Sequence, residues 1–321
     1  MRYGSAVLGM AIVLLLASPL ATSQTYPGKP MRLVAPYAPG GSSAAAALAY
    51  SQKMHELMGQ PMVIEYRPGA GSNVGSESVA KAAPDGYTLL MGTSSLAINP
   101  NLYRNMTFDP MRDLAAIAVL FRAPNVLAVN PSLPIHSVKE LIDYARANPG
   151  KLNYGSSGNG ATNHMAMELF KYLAKVDIVH IAYKGGGEAM PALVGGQIQV
   201  MFSPASTLAP QDKAGRVRML AVSSARRIDG INLPTIAASG LPGFESQVWF
   251  GLFAPTGTPA PIIGRLNAES NRALKDKQVL AVLEKAELEG VGGTAEDMHR
   301  LRAEDFERWA GVVKATGIRI E

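Results

Sequence analysis

Residues 32–50 read RLVAPYAPGGSSAAAALAY, and the fold is decided in this stretch. Leu33-Val34-Ala35 is a short apolar run, long enough for one buried strand. From Pro36 through Tyr37 and Pro39 to Gly40 and Gly41, regular structure is interrupted: prolines fix φ and remove donors, and glycines open the positive-φ region. Ser42 and Ser43 are suited to cap a helix, and the alanine run that begins at Ala44 has the highest helix propensity available. The order predicted is strand, glycine turn, helix start. A helix start presents unpaired N–H groups and partial positive charge, which suit an anion. Two hydroxyls and the glycine amides could together hold a carboxylate or a phosphate. The plainer alternative is a βα turn whose serines only cap the helix.

Outward from there, composition narrows the class. Met1-Arg2 and the apolar run at 6–16 (AVLGMAIVLLL), closed by Ala21-Thr22-Ser23, predict a leader over residues 1–23 that is cleaved on export to the periplasm. No later stretch approaches the ~18 apolar residues of a membrane span. The remainder has length for about two domains of roughly 100–200 residues. Hydrophobic residues make up 47% of the chain, enough for a full core, and there is no cysteine, which excludes disulfides, thiol nucleophiles and thiolate metal sites. The net charge is +5, but the basic residues are scattered and do not interleave with aromatics, so no nucleic-acid partner is expected.

Short apolar runs alternate with helical patterns. Strands are expected at 31–35, 62–66, 88–91, 117–120, 126–129, 152–154, 178–181, 198–202, 219–222 and 250–254. Helices are expected at 44–58, 76–83, 138–147, 163–173, 189–195, 261–274, 278–286 and 295–316. This alternation predicts an α/β protein with largely parallel sheets, whose ligands sit at the C-terminal ends of strands. Two apolar runs, 124–131 and 248–255, look like crossings between lobes. The expected architecture is therefore a hinged clamshell of two α/β lobes joined by two crossover strands, with residues 24–123 and 248–321 in one lobe and 124–247 in the other.

The opening pattern recurs. After the strand at 152–154 comes GSSGNGATNH (155–164), a flexible turn leading into a helix, with Ser156, Ser157, Asn159, Gly160, Ala161, Thr162 and His164 as candidate ligand residues. Two such turns, one per lobe, could grip both ends of a dianion across a cleft. Thr93, Ser94 and Ser95 form a third turn, Tyr183, Lys184 and Gly185 a fourth, and Ser203 follows the strand at 198–202. GAGSNVG (69–75) follows a strand, but its spacing is GxGxxxG and the acidic ribose partner is missing, so no dinucleotide cofactor is expected. The five histidines are dispersed, and Gly59 stands where the second histidine of HExxH belongs, so no metal site is expected. GSSGN is near, but is not, the GxSxG nucleophile elbow, and no serine has an obvious base. The chain therefore reads as a binding protein, with an exported serine hydrolase acting through Ser157 as the runner-up.

The residues carry a family resemblance over essentially the whole mature chain. YPGKP (26–30), PGGS (39–42), EYRPGAG (65–71), APDGYTLL (83–90), AINP (97–100), YGSSGNG (154–160), YKG (183–185), GGQ (195–197) and WFGLFAP (249–255) occur in this order. Together they resemble the Bug family, the extracytoplasmic solute receptors of tripartite tricarboxylate transporters. The resemblance implies a monomeric periplasmic-binding-protein (Venus flytrap) fold closing on a small carboxylate and delivering it to a two-component membrane permease. It also implies that the turns matching 39–43 and 156–162 act as pincers on one carboxylate, with 93–95 and 183–185 shaping the pocket. A sensory receptor for the same ligand is the remaining alternative. Three positions depart from the family pattern: Ala44 and Ser203 stand where Asp is usual, and Leu48 where Arg is common. Losing two acids disfavours an amino-acid ligand and lowers repulsion of a second carboxylate. The expected ligand is a di- or tricarboxylate, with an aromatic dicarboxylate such as terephthalate as a specific candidate.

Overall fold

The computed structural model describes residues 26–183, 186–228 and 230–319; the expected leader lies outside them. Along the chain run β1 (Met31–Ala35), α1 (Gly41–Met58), β2 (Met62–Tyr66), α2 (Asn73–Ala80), β3 (Thr88–Thr93), α3 (Ser95–Leu102), β4 (Leu114–Val129), α4 (Val138–Ala147), β5 (Asn153–Ser156) and α5 (Thr162–Ala174). These are followed by β6 (Val179–Ala182), α6 (Gly186–Val194), β7 (Val200–Pro204), α7 (Ala205–Lys213), β8 (Arg218–Val222), β9 (Gln247–Pro255), α8 (Ala260–Ala273), α9 (Lys277–Lys285), β10 (Glu289–Gly290) and α10 (Ala295–Thr316).

Everything hangs on β4. Its first part, from Leu114 to Pro124, pairs with β9, and β10 pairs with it at Phe121 and Arg122. From Asn125 to Val129 it pairs instead with β7, and over Val126–Val129 with β8 on its other side. One strand is thus shared by two sets of partners, β2-β1-β3-β9 on one side and β7-β5-β6 with β8 on the other. Pro124 stands where the partners change. A proline has no N–H to give a ladder, and a change of partners is a place where none is required. The expected strands at 117–120 and 126–129 are therefore one element. The residues between them, Phe121 to Asn125, fall outside both expected strands, though 124–131 is expected as a crossing, because Arg122 and Pro124 do not signal a central strand.

β1, β2 and β3 are parallel, as are β5, β6 and β7. The two crossing strands are not: β9 is antiparallel to β3 and β4, and β4 to β7 and β8. The sheet is mixed rather than largely parallel, because β4 enters the second sheet at the C-terminal ends of its parallel strands and so runs against them, and β9 returns through the first sheet against β3 and β4.

Helices form where pattern and ends agree. α4 buries Val138, Leu141, Ile142 and Ala145 at helical spacing, and Ser137 caps it by accepting from the Glu140 N–H. α10 carries a capping box between Thr294 and Asp297 and buries Met298, Trp309, Val312 and Val313. The buried Trp249 of β9 donates from Nε1 to Asp305 of α10 at 2.6 Å, fixing that helix to the crossing strands. Two helices were not expected, α3 and α7. Each contains a proline, Pro100 and Pro210, which reads as a breaker in sequence. α3 persists because Ser95 to Asn99 and Leu102 are all buried, with Leu96, Ala97, Ile98 and Leu102 in the same core cluster as Trp309 and Val313; packing outweighs the missing bond. Among the described residues no helix is long and apolar enough to cross a membrane.

The two crossings are clipped together by one side chain. Ser223, fully buried after β8, accepts the Asn125 N–H at 2.9 Å and donates to the Ser246 carbonyl at 2.5 Å. Its own backbone bonds both partners, receiving from Ser246 N–H at 2.9 Å and giving to the Asn125 carbonyl at 2.8 Å. Ser223→Ala leaves one buried donor and one buried acceptor without that hydroxyl. The expected result is a loss of about 2 kcal/mol or more in urea unfolding; a loss below about 0.5 kcal/mol contradicts the clip.

Candidate functional site

Strand directions set the geometry of the site. β3 and β4 are both antiparallel to β9, so β1, β3 and β4 run the same way, and β4 leaves its first sheet at the edge where β1 and β3 end. On entering the second sheet it is antiparallel to β7, with Asn125 opposite Pro204. The C-terminal ends of β5, β6 and β7 therefore also lie toward the crossover. The turns at 36–43, 93–95, 156–161, 183 and 203–204 all stand on the two sheet edges that meet there.

At the end of β1, Gly40 is the N-cap of α1, with φ of 107°, and no side chain caps the helix. That conformation suits glycine and few other residues. Ser42 and Ser43 are thus not caps, as the sequence suggests, but lie inside the first turn. There the amides of Gly41, Ser42 and Ser43 have no intrahelical acceptor. Both serine side chains are half-buried, and Pro39 and Gly40 are exposed. Tyr37 is wedged between Tyr66 and Phe250, with ring centroids at 6.3 and 5.9 Å. Its hydroxyl points to Met91 Sδ at 3.1 Å, and burial pushes its pKa up. Ala44 is buried on α1. At the end of β3, Thr93 and Ser95 bond each other at 2.6 Å. Ser94, 1% exposed, gives its N–H to the Trp249 carbonyl at 3.1 Å, and among the described residues its hydroxyl has no partner.

The turn after β5 is held from inside. Ser157 N–H donates to Asn163 Oδ1 at 3.2 Å, Gly158 N–H to Ser156 Oγ at 3.1 Å, Gly160 N–H to His164 Nδ1 at 3.1 Å and Ala161 N–H to the Gly158 carbonyl at 3.2 Å. α5 then begins after Ala161 with no side-chain cap. Among the described residues, the amides of Asn159, Thr162, Asn163 and His164 are left without acceptors. Asn159 is exposed, and Ser157, Ala161 and Thr162 are half-buried.

Behind this turn lies a stack of three rings. His164 and His180 are 4.1 Å apart, and His180 lies 4.7 Å from Tyr154. His180 Nε2 meets Ser156 Oγ at 2.6 Å. The Tyr154 hydroxyl donates to Glu168 at 2.6 Å, and Lys171 pairs with the same carboxylate at 2.7 Å. Burial lowers the pKa of His164 to about 3, with His180 and Lys171 adding to the effect, and burial lowers that of His180. Both rings are neutral, and because Gly160 donates to Nδ1 of His164, that ring carries its proton on Nε2. His164 and Ser156 thus brace the turn from within. His164 Nδ1 and Ser156 Oγ are already engaged, whereas the hydroxyls of Ser42, Ser43, Ser94 and Thr162 have no partner among the described residues.

Tyr183 is half-buried, and its N–H donates to the Ser156 carbonyl at 3.1 Å, which places it beside the same turn. Ser203 is buried opposite Val126. Lys184 and Gly185 lie outside the described residues. Two cavities border the region. One, of about 620 Å³ and mostly apolar, begins at Gly40 and Ala44 and follows α1 past Leu48 against Ile64 and Tyr66. The other, of about 850 Å³, surrounds the crossover near Arg122, Pro124, Arg226, Arg227 and Glu287. Among the described residues, no cluster of His, Asp or Glu is placed to hold a metal ion.

The family profile described as "Tripartite tricarboxylate transporter family receptor" matches residues 47–318. The chain belongs to this family. It is 33% identical over 319 residues to the protein BugT of Bordetella pertussis, covering 98% of each chain. Among solved structures, it is similar to R. palustris Rpa4515 with adipate, at 36% identity and a TM-score of 0.81, covering 92% of this chain and 99% of that one. MatC from Rhodopseudomonas palustris, with bound malate, shares 31% identity at a TM-score of 0.76 over 90% of this chain and 100% of that one. The fold of this Bug-family receptor is that of periplasmic binding proteins, two α/β lobes joined by two crossover strands.

The Ser156–His180 contact is the pairing a nucleophilic serine needs, and the sequence gives no hint of it, because residues 24 apart meet only through the β5–β6 register. It does not revive the hydrolase reading. Ser156 is 0% exposed, and Glu168 is committed to Tyr154 and Lys171. Receptors of this family are solute-binding proteins, not enzymes.

The buried His164 makes the receptor acid-sensitive. The unfolded chain takes up a proton on His164 near the ordinary value of 6.5, whereas the folded chain resists until about 3. Stability is therefore fully present above about pH 6.5 and falls by about 1.4 kcal/mol per pH unit below it, on top of any carboxylate contribution. His164→Gln keeps an acceptor for Gly160 N–H but cannot titrate. Its urea-unfolding free energy is expected to fall less steeply than wild type between pH 6.5 and 4.5; identical slopes contradict the assignment.

Proposed function

We propose that the protein is an extracytoplasmic solute-binding protein that captures a small dicarboxylate between its lobes and hands it to the membrane permease of a tripartite transporter. The lobes in this reading are residues 24–123 with 248–321, and 124–247, and the compartment is the periplasm. The observation that carries the reading is a pair of bare helix starts, α1 after Gly40 and α5 after Ala161, on the two edges that meet at the crossover. α4, α9 and α10 are capped by Ser137, Asp276 and Thr294. α2, α3, α7 and α8 also lack side-chain caps, so it is the positive-φ glycine turn leading into α1 and α5 together with their place at the crossover, and not bareness alone, that supports a ligand. Each offers N–H groups and the positive end of a dipole to one carboxylate.

The neutral side chains at Ala44 and Ser203 favour a second carboxylate over an amino group. Rpa4515 with adipate and MatC with malate are relatives that hold dicarboxylates. Terephthalate is an aromatic member of this class, and Ala44 leaves room for its ring. Closure follows only if the ligand contacts both lobes and so favours the closed form.

A thermal-shift panel of adipate, malate, terephthalate, aspartate and glutamate tests the reading. At about 100 times Kd a ligand of the native state adds about 2.7 kcal/mol, so at least one dicarboxylate is expected to raise the melting temperature by several degrees. Stabilisation by the amino acids alone overturns the ligand class, and none by any carboxylate overturns the reading. Ala44→Asp, which places a carboxylate in the first turns of α1, is expected to weaken dicarboxylate binding by about tenfold.

A further inference from the structure

A buried carboxamide in the crossover has nothing to bond among the described residues. Asn125 is 4% exposed, and its Nδ2 has no acceptor. Its Oδ1 has no hydrogen-bond partner among the described residues either. The backbone of the same residue is fully engaged with Ser223. A buried polar group left unsatisfied costs about 1–3 kcal/mol, and native proteins retain few without a reason. A leucine here would continue the apolar run Val126-Leu127-Ala128-Val129 at no such cost.

The register shows where the side chain lies. Successive residues of a strand point to opposite faces. Val126 and Ala128 pack in a cluster with Ala189, Leu193, Ala205 and Leu208 of α6 and α7. Leu127 and Val129 pack with Tyr154, Met165 and Phe170 of β5 and α5. Asn125 shares the face of Leu127, the one α5 covers. Leu127 is opposite Phe202, and Met201 is beside Gly155. Asn125, two residues nearer the crossover than Leu127, therefore stands level with the turn that follows Ser156. Asn163, in the first turn of α5, donates to the Phe202 carbonyl at 3.3 Å on that face. The unpaired carboxamide is thus at the N-terminal edge of α5, next to a helix start whose amides are also unpaired.

We propose that Asn125 is a ligand-contacting residue, its Nδ2–H donating to the carboxylate that sits at the start of α5. The proposal rests on the receptor reading above and names a contact that neither the turn motifs nor the resemblance points to. A neutral NH2 group adds a directed donor to the helix amides without bringing a counter-charge of its own. The orphaned donor is then a cost carried by the unliganded protein and relieved on binding, as expected of a residue kept for function rather than stability. The partnerless hydroxyl of Ser94, in the turn bonded to Trp249 on the first-lobe side, has the same character.

The test combines unliganded melting temperatures with calorimetric titration of adipate, malate and terephthalate into wild type, Asn125→Leu and Asn125→Ala. Asn125→Leu is expected to melt at or above the wild-type temperature and to bind the wild-type ligand about tenfold or more weakly. Wild-type affinity in a folded Asn125→Leu overturns the contact. If that variant melts well below wild type, Asn125→Ala decides: weakening of about tenfold or more supports the contact, and unchanged affinity overturns it. Wild type that binds none of the three acids removes the receptor reading and the contact with it, an outcome seen in the control and distinct from loss in the variants alone.

Discussion

A single shared strand governs this molecule. Because β4 pairs with β9 up to Pro124 and with β7 and β8 beyond it, both sheets must present the C-terminal ends of their parallel strands to the same crossover. In α/β sheets those ends are where loops gather and where helices begin. The juxtaposition of the β1–α1, β3–α3, β5–α5 and β7–α7 turns is therefore a consequence of strand direction and needs no special contact between the lobes. The Ser223 clip, which ties Asn125 to Ser246, holds the two crossings in register at the point where any relative motion of the lobes must pivot.

The chemistry offered at that point is neutral and donor-rich. Amides in the first turns of α1 and α5, the hydroxyls of Ser42, Ser43 and Ser94, and the Asn125 carboxamide all give or share protons, and Ala44 and Ser203 add no charge. Backbone dipoles can hold an anion without the desolvation cost of burying a full positive charge. The protein spends stability to keep these groups available: a side-chain cap is worth about 1 kcal/mol, and α1 and α5 go without. Rigidity comes instead from behind the site, from the His164–His180–Tyr154 stack and its bonds to Ser156, Gly160 and Glu168, and from Tyr37 wedged between Tyr66 and Phe250.

Much of this was legible in the chain, and the parts that were not share a cause. The elements at 31–35, 62–66, 138–147 and 295–316 begin and end where composition and periodicity place them, since their signals are local. Pro100 and Pro210 hid α3 and α7, whose stability comes from burial against distant segments. The pairing of Arg122-Ala123-Pro124-Asn125 with β9 and Ser223 is likewise a tertiary fact, so two short strands were expected where one long one exists. Ser42 and Ser43 read as caps because their side chains suit that role; Gly40, able to adopt a positive φ, takes it one turn position earlier and leaves the serines inside the helix. His180 carried no motif, and only the β5–β6 register brings it to Ser156.

The central claim is that two opposed helix starts each take one carboxylate of the same molecule. Calorimetric titration of the best-binding dicarboxylate against its monomethyl ester tests this most directly, because esterification removes one charge and leaves the carbon frame almost unchanged. The account requires the ester to bind about tenfold to hundredfold more weakly, as expected for losing one set of charge-assisted hydrogen bonds. Equal affinity for acid and ester would mean that only one end of the ligand is held, and would contradict it.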